Sequence, residues 1–310
     1  NEDPALGKLV RTTAFRQALS YAIDREAIRD TYFIGVGRPT AGAPNPKDGF
    51  YPGDAVANKF AVTDLAKSKS LLDGIGLTDS DGDGIRNYAG GGNVVLWAQL
   101  NTRDVPMWEL VVSDFANVGI QLDIKEGSGH ELMRTGKQPI GASGHVSLTE
   151  AAMTGVAPCA ASHGPHACPL IGKYIATGGK QGHGPSPNSA YLPTAPAGAY
   201  PEDATGVIKQ VQDLYKTAKS NPPGSAVRLE AGVKMNELWM EQVYTIGTIQ
   251  GASGDRDVYM KRNNFRNPPI LARARGFYGA WAETYYFEDG TDNVNNPGNR
   301  SKKYKSTSFR

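Results

Sequence analysis

The sequence lacks most of the features that would commit it to a membrane, a nucleic acid or a familiar reaction. No apolar run approaches the roughly 18 residues that a membrane-spanning helix needs. The 33 basic and 31 acidic side chains give a net charge of only +2, so the basic footprint of a nucleic-acid-binding protein is absent. The sequence contains no G-x-S-x-G elbow, H-E-x-x-H pair, P-loop or dinucleotide fingerprint. These absences favour binding over catalysis.

Cysteine is also scarce, because only Cys159 and Cys168 occur among the 310 residues. They enclose a short stretch rich in glycine and proline that also contains His163 and His166. A disulfide is the favoured interpretation, since an even cysteine count in such a loop suits an oxidising compartment. A zinc site made of these four side chains and a pair of free thiols are the alternatives.

Helical periodicity is strong near the beginning of the sequence. One apolar stripe recurs with helical spacing, and Thr12 or Thr13 is placed to cap its helix; the stripe consists of Phe15, Ala18, Leu19, Ala22 and Ile23. Asp24 is a good N-cap for a second helix, and Ile23 with Ile28 forms a hydrophobic staple across it. The pattern predicts two helices that meet at a corner.

A strand, a helix and a second strand are predicted further along. Apolar residues over 94–98 and alternation over 120–124 indicate strands, and the helical period between them covers about 104–117. Strands joined by such a crossover lie parallel in one sheet, so an α/β fold is expected. Two more helices and a strand over 243–249 are predicted after residues 127–204, which show almost no periodicity.

Ligands of open α/β sheets bind beyond the carboxyl ends of the strands. Asn101, Thr102 and Arg103 follow the first predicted strand and are therefore candidate binding residues. Arg103 is suited to pair with a ligand carboxylate or to form a surface ion pair. Trp97 is suited to stack on a ligand or to fill the core, and the core is the favoured interpretation. His145 and Tyr174, on the long loop, are candidates by position only.

Asp79, Asp81 and Asp83 occupy alternate positions of a loop that resembles a calcium-binding loop, with Gly84 at its sharp turn. Gly90 stands where such loops normally carry a bidentate glutamate. A structural Asx turn is the favoured interpretation. No cofactor is predicted, and a structural calcium ion is the alternative.

Four ordered motifs resemble family 5 extracellular solute-binding proteins, the peptide-binding receptors of ABC importers. The string RQALSYAIDREAI over 16–28 is similar to the beginning of that family's second lobe. The other motifs are DSDGDGIR over 79–86, YIATGG over 174–179, and YTIGT over 244–248 with NNFRN over 263–267.

The resemblance implies an α/β fold of the type II periplasmic-binding-protein class, in its large cluster. Residues 1–245 would form the second lobe, and residues 246–310 would cross the hinge and return to a first lobe whose N-terminal half lies outside this chain. The family implies closure of two lobes on a small ligand. A short peptide is the first candidate for this ligand, and an oligosaccharide or opine-like compound is the alternative. The implied partners are the missing half and the importer's permease, and no nucleic acid. The resemblance implies no enzymatic activity.

The implied location is periplasmic or extracellular, with or without a lipid anchor. The first residues do not read as a signal peptide, so an exported chain would have lost its signal elsewhere. A hydrolase built on the cysteine and histidine loop, or a calcium-dependent adhesion module built on Asp79–Asp83, remains the alternative from another class.

Overall fold

The computed structural model describes residues 3–100, 102–127, 139–140, 206–251, 265–266 and 286–287. The chain divides into two compact units, Asn1–Gln250 and Gly251–Arg310. The helices of the first unit, in chain order, are α1 (Pro4–Arg11), α2 (Thr13–Ala22), α3 (Arg25–Thr31), α4 (Asp54–Ala57), α5 (Leu65–Gly74), α6 (Val105–Ala116), α7 (Val207–Lys219) and α8 (Ala226–Glu241).

Where the structure describes the chain, six strands pair two by two. Strand β2 (Val95–Leu100) lies parallel to β3 (Gln121–Glu126), whereas β1 (Arg38–Pro39) lies antiparallel to β4 (Ile249–Gln250). In the second unit, β5 (Phe265–Arg266) lies antiparallel to β6 (Tyr286–Phe287). Within the described ranges, no helix combines the length and apolar character that crossing a bilayer requires.

The predicted corner between two helices is confirmed. Helix α2 buries Phe15, Ala18 and Leu19, while Thr12 occupies its N-cap without a side-chain capping bond. The Asp24 carboxylate caps α3 by accepting a hydrogen bond from the backbone N–H of Ala27. The stripe and the cap are local features, and each follows directly from sequence spacing.

The largest core cluster joins the helical corner to the predicted strand–helix–strand unit, which is also confirmed. Strands β2 and β3 run parallel with Val95 opposite Gln121 and Leu100 opposite Glu126. Alternate residues of β2, namely Leu96, Ala98 and Leu100, are buried in this cluster together with Phe115 of α6. The α/β expectation therefore holds where the structure describes the chain.

A second cluster lies between α7 and α8. Both helices bury apolar faces, and the aromatic ring of Phe50 is completely buried among them. Phe50 comes from the connection between β1 and α4, so this connection is buried in part. Val227 of α8 is about half exposed.

The carboxylate of Asp64 caps α5 by accepting from the backbone N–H of Lys67, while the Thr63 hydroxyl donates to the Ile23 carbonyl. The strand expected over 243–249 is limited to Ile249–Gln250, since Val243 has a positive φ of 47° and only these last two residues pair with β1.

Candidate functional site

The carboxyl ends of β2 and β3 meet at one edge, as the prediction required. The Thr102 hydroxyl lies 3.2 Å from the Glu126 carboxylate, and the Gln99 side-chain amide donates to the Glu126 carbonyl at 3.2 Å. The backbone N–H of Gly127 donates to the Leu100 carbonyl at 2.8 Å, which extends the parallel pairing past the last strand residue. Hydroxyl, amide and carboxylate groups thus lie together at this edge, where a polar ligand can be hydrogen-bonded.

Trp97 lies on the face of β2 opposite the buried core residues. Its side chain is half-buried and lies outside the buried cluster, so the expectation that it fills the core was wrong. The ammonium group of Lys125 lies 4.4 Å from the ring centroid, within the range of a cation–π interaction. The alternation of side chains along a strand explains this placement, because Trp97 has the opposite orientation to Leu96 and Ala98.

The other predicted ligand-binding residues cannot be positioned in the same way. Arg103 belongs to a short 3₁₀ helix over Thr102–Asp104, directly after β2. Asn101, His145 and Tyr174 lie outside the described residues, as do Cys159 and Cys168. Their assignments remain predictions.

The three aspartates of the DGDG turn converge. Their carboxylate oxygens all lie within 4.8 Å of one another, and all three residues are exposed. Asp79 accepts hydrogen bonds from the backbone N–H groups of Gly82 and Gly84, and Asp83 accepts from that of Ile85. These three residues could hold a hard cation, yet the same carboxylates already organise the turn by Asx-type bonds.

The carboxylate of Asp83 has a pKa below its usual range. The first cause is the hydrogen bond from the Asn93 side-chain amide at 2.7 Å, and the second is the bond from the Ile85 backbone. Both interactions favour the ionised form. The turn is therefore held by its own polar groups at neutral pH.

Arg86 anchors this turn to the body of the fold, a role that sequence analysis did not identify. Its guanidinium donates to the Val118 carbonyl at 2.8 Å, to the Asp73 carboxylate at 2.6 Å and to the Leu77 carbonyl. Asp73 is largely exposed, whereas Arg86 is buried. The acceptors come from the ends of α5 and α6, and no local sequence pattern connects those ends.

An open groove of about 420 Å³ follows α7 and α8. Its walls include Val227, Glu230 and Lys234, all from α8. None of the residues that line it belongs to the predicted binding set, so it does not coincide with the edge of β2 and β3.

The structure resembles solved periplasmic binding proteins. The oligopeptide-binding protein OppA aligns with a TM-score of 0.65 and 20% identity over 87% of this chain. MelB from Agrobacterium fabrum, in complex with stachyose, aligns with a TM-score of 0.53 and 23% identity over 79% of this chain. AppA from Bacillus subtilis, in complex with a nonapeptide, aligns with a TM-score of 0.50 and 19% identity over 75% of this chain. No curated protein matches the chain.

These likenesses define the class of the fold, an α/β periplasmic-binding-protein fold of type II. The chain covers 42% of OppA, 34% of MelB and 41% of AppA, so it spans about two fifths of such proteins or less. Residues 4–161 match the family described as bacterial extracellular solute-binding proteins, family 5, middle region. The chain belongs to this family, whose members are transport receptors.

Proposed function

We propose that this chain is part of an extracytoplasmic solute-binding protein that delivers a small ligand to an ABC importer by closure of two lobes. The observation that carries the proposal is the family match over residues 4–161, half of the chain, which includes β2, α6 and β3. Residues 1–245 would be the second lobe, and residues 246–310 the hinge crossing and the return to the first lobe. The missing N-terminal half and the permease would be its partners.

A short peptide is the first candidate ligand. The structural neighbours include oligopeptide-binding proteins, one of them holding a nonapeptide. Peptides offer amide groups and terminal charges, which suit the hydroxyl, amide and carboxylate groups at the end of β2 and β3. Thr102 and Arg103 are the proposed contacts there, together with Asn101, His145 and Tyr174.

An oligosaccharide is the second candidate, with opine-like compounds after it. The half-buried ring of Trp97 favours it, because an aromatic face provides apolar contact for a ring-shaped ligand. One structural neighbour holds stachyose. Since the same face would serve either ligand, Trp97 is the residue that most needs testing.

The proposed protein acts as a receptor without enzymatic activity, in the periplasm or outside the cell, with or without a lipid anchor. A ligand that is released unchanged is the chemical signature of this function. A hydrolase would instead release products. A calcium-dependent adhesion module would require the cation for any binding.

The test is recovery of ligand from defined pools. The chain, and a longer protein that also contains the first lobe, are incubated with peptide and oligosaccharide pools, separated by gel filtration and denatured, and the released compounds are identified by mass spectrometry. Intact peptide or sugar supports the proposal. Cleaved compounds, or binding abolished by a calcium chelator, would overturn it.

Three variants locate the site. Thr102→Val should weaken retention of a peptide about tenfold, the cost of one lost hydrogen bond, whereas Thr217→Val on α7 should leave it unchanged. Trp97→Leu should weaken an oligosaccharide more than a peptide. Equal retention by Trp97→Leu and the unmodified protein would exclude this face from the site.

A further inference from the structure

Glu126 is an exposed residue to which the proposed function assigns no ligand contact. It is the last residue of β3 and lies opposite Leu100, the last residue of β2. Ligands of open α/β sheets bind beyond the carboxyl ends of the strands. The fold therefore places a carboxylate at the edge where the ligand is proposed to bind.

The backbone that carries Glu126 is fixed to β2 on both sides. The Gln99 side-chain amide donates to the Glu126 carbonyl at 3.2 Å, and the backbone N–H of Gly127 donates to the Leu100 carbonyl at 2.8 Å. A Cβ atom on residue 127 would lie 2.1 Å from the Gln99 amide nitrogen, so glycine at this position leaves room for that amide. The end of β3 is thus held in a defined position.

The carboxylate of Glu126 is oriented by one neutral donor. Thr102 begins the 3₁₀ helix over Thr102–Asp104, and its hydroxyl lies 3.2 Å from Glu126 Oε2. An ionised carboxylate offers about four acceptor positions, and this contact uses one of them. Since Glu126 is exposed, other acceptor positions are available to a ligand.

No basic side chain in the described part of the chain neutralises Glu126. The ion pairs among the described residues all join other side chains. The neighbouring cation, Lys125, has its ammonium group 4.4 Å from the centroid of the Trp97 ring. Because successive side chains of a strand point to opposite faces, Lys125 and Glu126 lie on opposite sides of β3. Within the described ranges, Glu126 is therefore a negative charge without a cationic partner.

We propose that Glu126 binds a positively charged group of the ligand and that Thr102 positions its carboxylate, so that the preferred ligand carries an ammonium group. The proposal rests on the receptor function given above and names the ligand class of that site. An ammonium group has three N–H donors and no acceptor, whereas an ionised carboxylate only accepts. Hydrogen bonds between such charged groups are shorter and stronger than those between neutral groups.

This contact distinguishes among the candidate ligands. A short peptide with a free N-terminus supplies an ammonium group. A neutral oligosaccharide supplies hydroxyl groups, whose hydrogen bonds to Glu126 lack the attraction between opposite charges. The carboxylate therefore favours a peptide, and among peptides it favours those whose terminal amine is unmodified.

The test compares two forms of the same short peptides on the unmodified protein. The peptides contain no Lys, Arg or His, so the terminal amine is their only cation, and each is mixed in equal amount with its N-acetylated form. The chain, and the longer protein that contains the first lobe, are incubated with the mixture, separated by gel filtration, denatured and analysed by mass spectrometry. The free form should be retained about tenfold over the acetylated form, the effect of one charge-assisted hydrogen bond.

Glu126→Gln removes the charge and keeps the size of the side chain. Its amide oxygen can still accept from Thr102, so the preference for the free form should disappear while retention of the acetylated form stays the same. Glu109→Gln is the matched control, because Glu109 is also an exposed glutamate but lies within α6 and not at the end of a strand. It should keep the full preference, as should Thr102→Ser, which retains the hydroxyl.

The possible outcomes separate this proposal from the receptor function. Equal retention of both forms by the unmodified protein, a preference that persists in Glu126→Gln, or an equal loss of both forms in that variant would overturn the assignment of Glu126 and leave the receptor function standing. Retention of oligosaccharides without any peptide would do the same. Retention of no compound by the longer protein would contradict the receptor function itself, and the assignment of Glu126 would fall with it.

Discussion

At the scale of single residues, two buried arginines hold together segments that neither a helix nor a long strand connects. Arg25 and Arg86 both donate mainly to backbone carbonyls. Charged donors make stronger hydrogen bonds than neutral ones, and each arginine donates to carbonyls from more than one segment of the chain. Neither role is visible in a local pattern, since a sequence shows that a residue is an arginine but not which carbonyls surround it.

Asp114 provides a pH-dependent prediction at the same scale. Its carboxylate accepts from the backbone N–H of Asp24 at 2.9 Å, and partial burial raises its pKa above the usual value. A raised pKa in the folded state means that the folded protein binds protons more readily than the unfolded protein, so this group lowers stability as pH rises through that pKa.

We therefore expect Asp114→Asn to stabilise the protein at pH 7 and to have no such effect near pH 3, where both states are protonated. Urea unfolding at the two pH values measures the change in the free energy of unfolding. Asp114→Ala also removes the hydrogen-bond acceptor, so its free energy of unfolding should be about 1 kcal/mol lower than that of Asp114→Asn at both pH values. Stabilisation by Asp114→Asn that is equal at pH 3 and pH 7 would contradict the explanation.

At the scale of elements, the DGDG turn is held by its own backbone and side-chain bonds. Gly84 has a φ of +89° and open space around its Cβ position. Gly84→Ala should therefore cost about 1–2 kcal/mol from backbone strain alone. Gly90→Ala is the control, because its Cβ also meets nothing but its φ lies outside the left-handed range, and it should change stability by less than about 0.5 kcal/mol. Thermal unfolding compares the two, and equal losses would exclude strain as the cause.

Calcium should leave the stability of the same turn unchanged. A ligand that binds only the native state raises the melting temperature by mass action. Gly90 supplies no carboxylate where a bidentate ligand is normally found, and the aspartates are engaged in Asx-type bonds. We expect equal melting temperatures in millimolar calcium and in chelator. A rise of several degrees with calcium, absent from Asp81→Asn, would identify a genuine calcium site.

Elements whose signals are local were predictable from the sequence. The α2–α3 corner and the β2–α6–β3 unit follow from apolar spacing and one capping aspartate. Prediction failed where distant segments decide the outcome. A strand was expected over 243–249, but Val243 has a positive φ and only Ile249 and Gln250 pair with β1. At the site, the edge at Thr102 was predictable from topology, but the half-buried placement of Trp97 depended on the strand's orientation.

At the scale of the molecule, the described residues of the first unit form three buried apolar clusters. One cluster surrounds β2 and β3, and a second fills the space between α7 and α8. Phe50 belongs to the second cluster although it lies far from those helices in sequence. Its ring contacts α8 so closely that a Cβ on Gly232 would lie 2.1 Å from it, and its carbonyl accepts from the Asn236 amide at 3.0 Å.

Phe50 therefore docks the α7–α8 hairpin, and its loss should loosen that hairpin more than the sheet. Phe50→Ala should cost about 3–5 kcal/mol, the range for removing a buried phenylalanine, and limited trypsin digestion should begin at Lys216, Lys219 and Lys234. Phe115→Ala is the matched control, because Phe115 is equally buried in the other cluster, and cleavage should then begin near Lys125. Cleavage sites mapped by mass spectrometry distinguish the two patterns. If both variants were first cut at the same sites, the clusters would unfold as one cooperative unit and the docking role of Phe50 would be wrong.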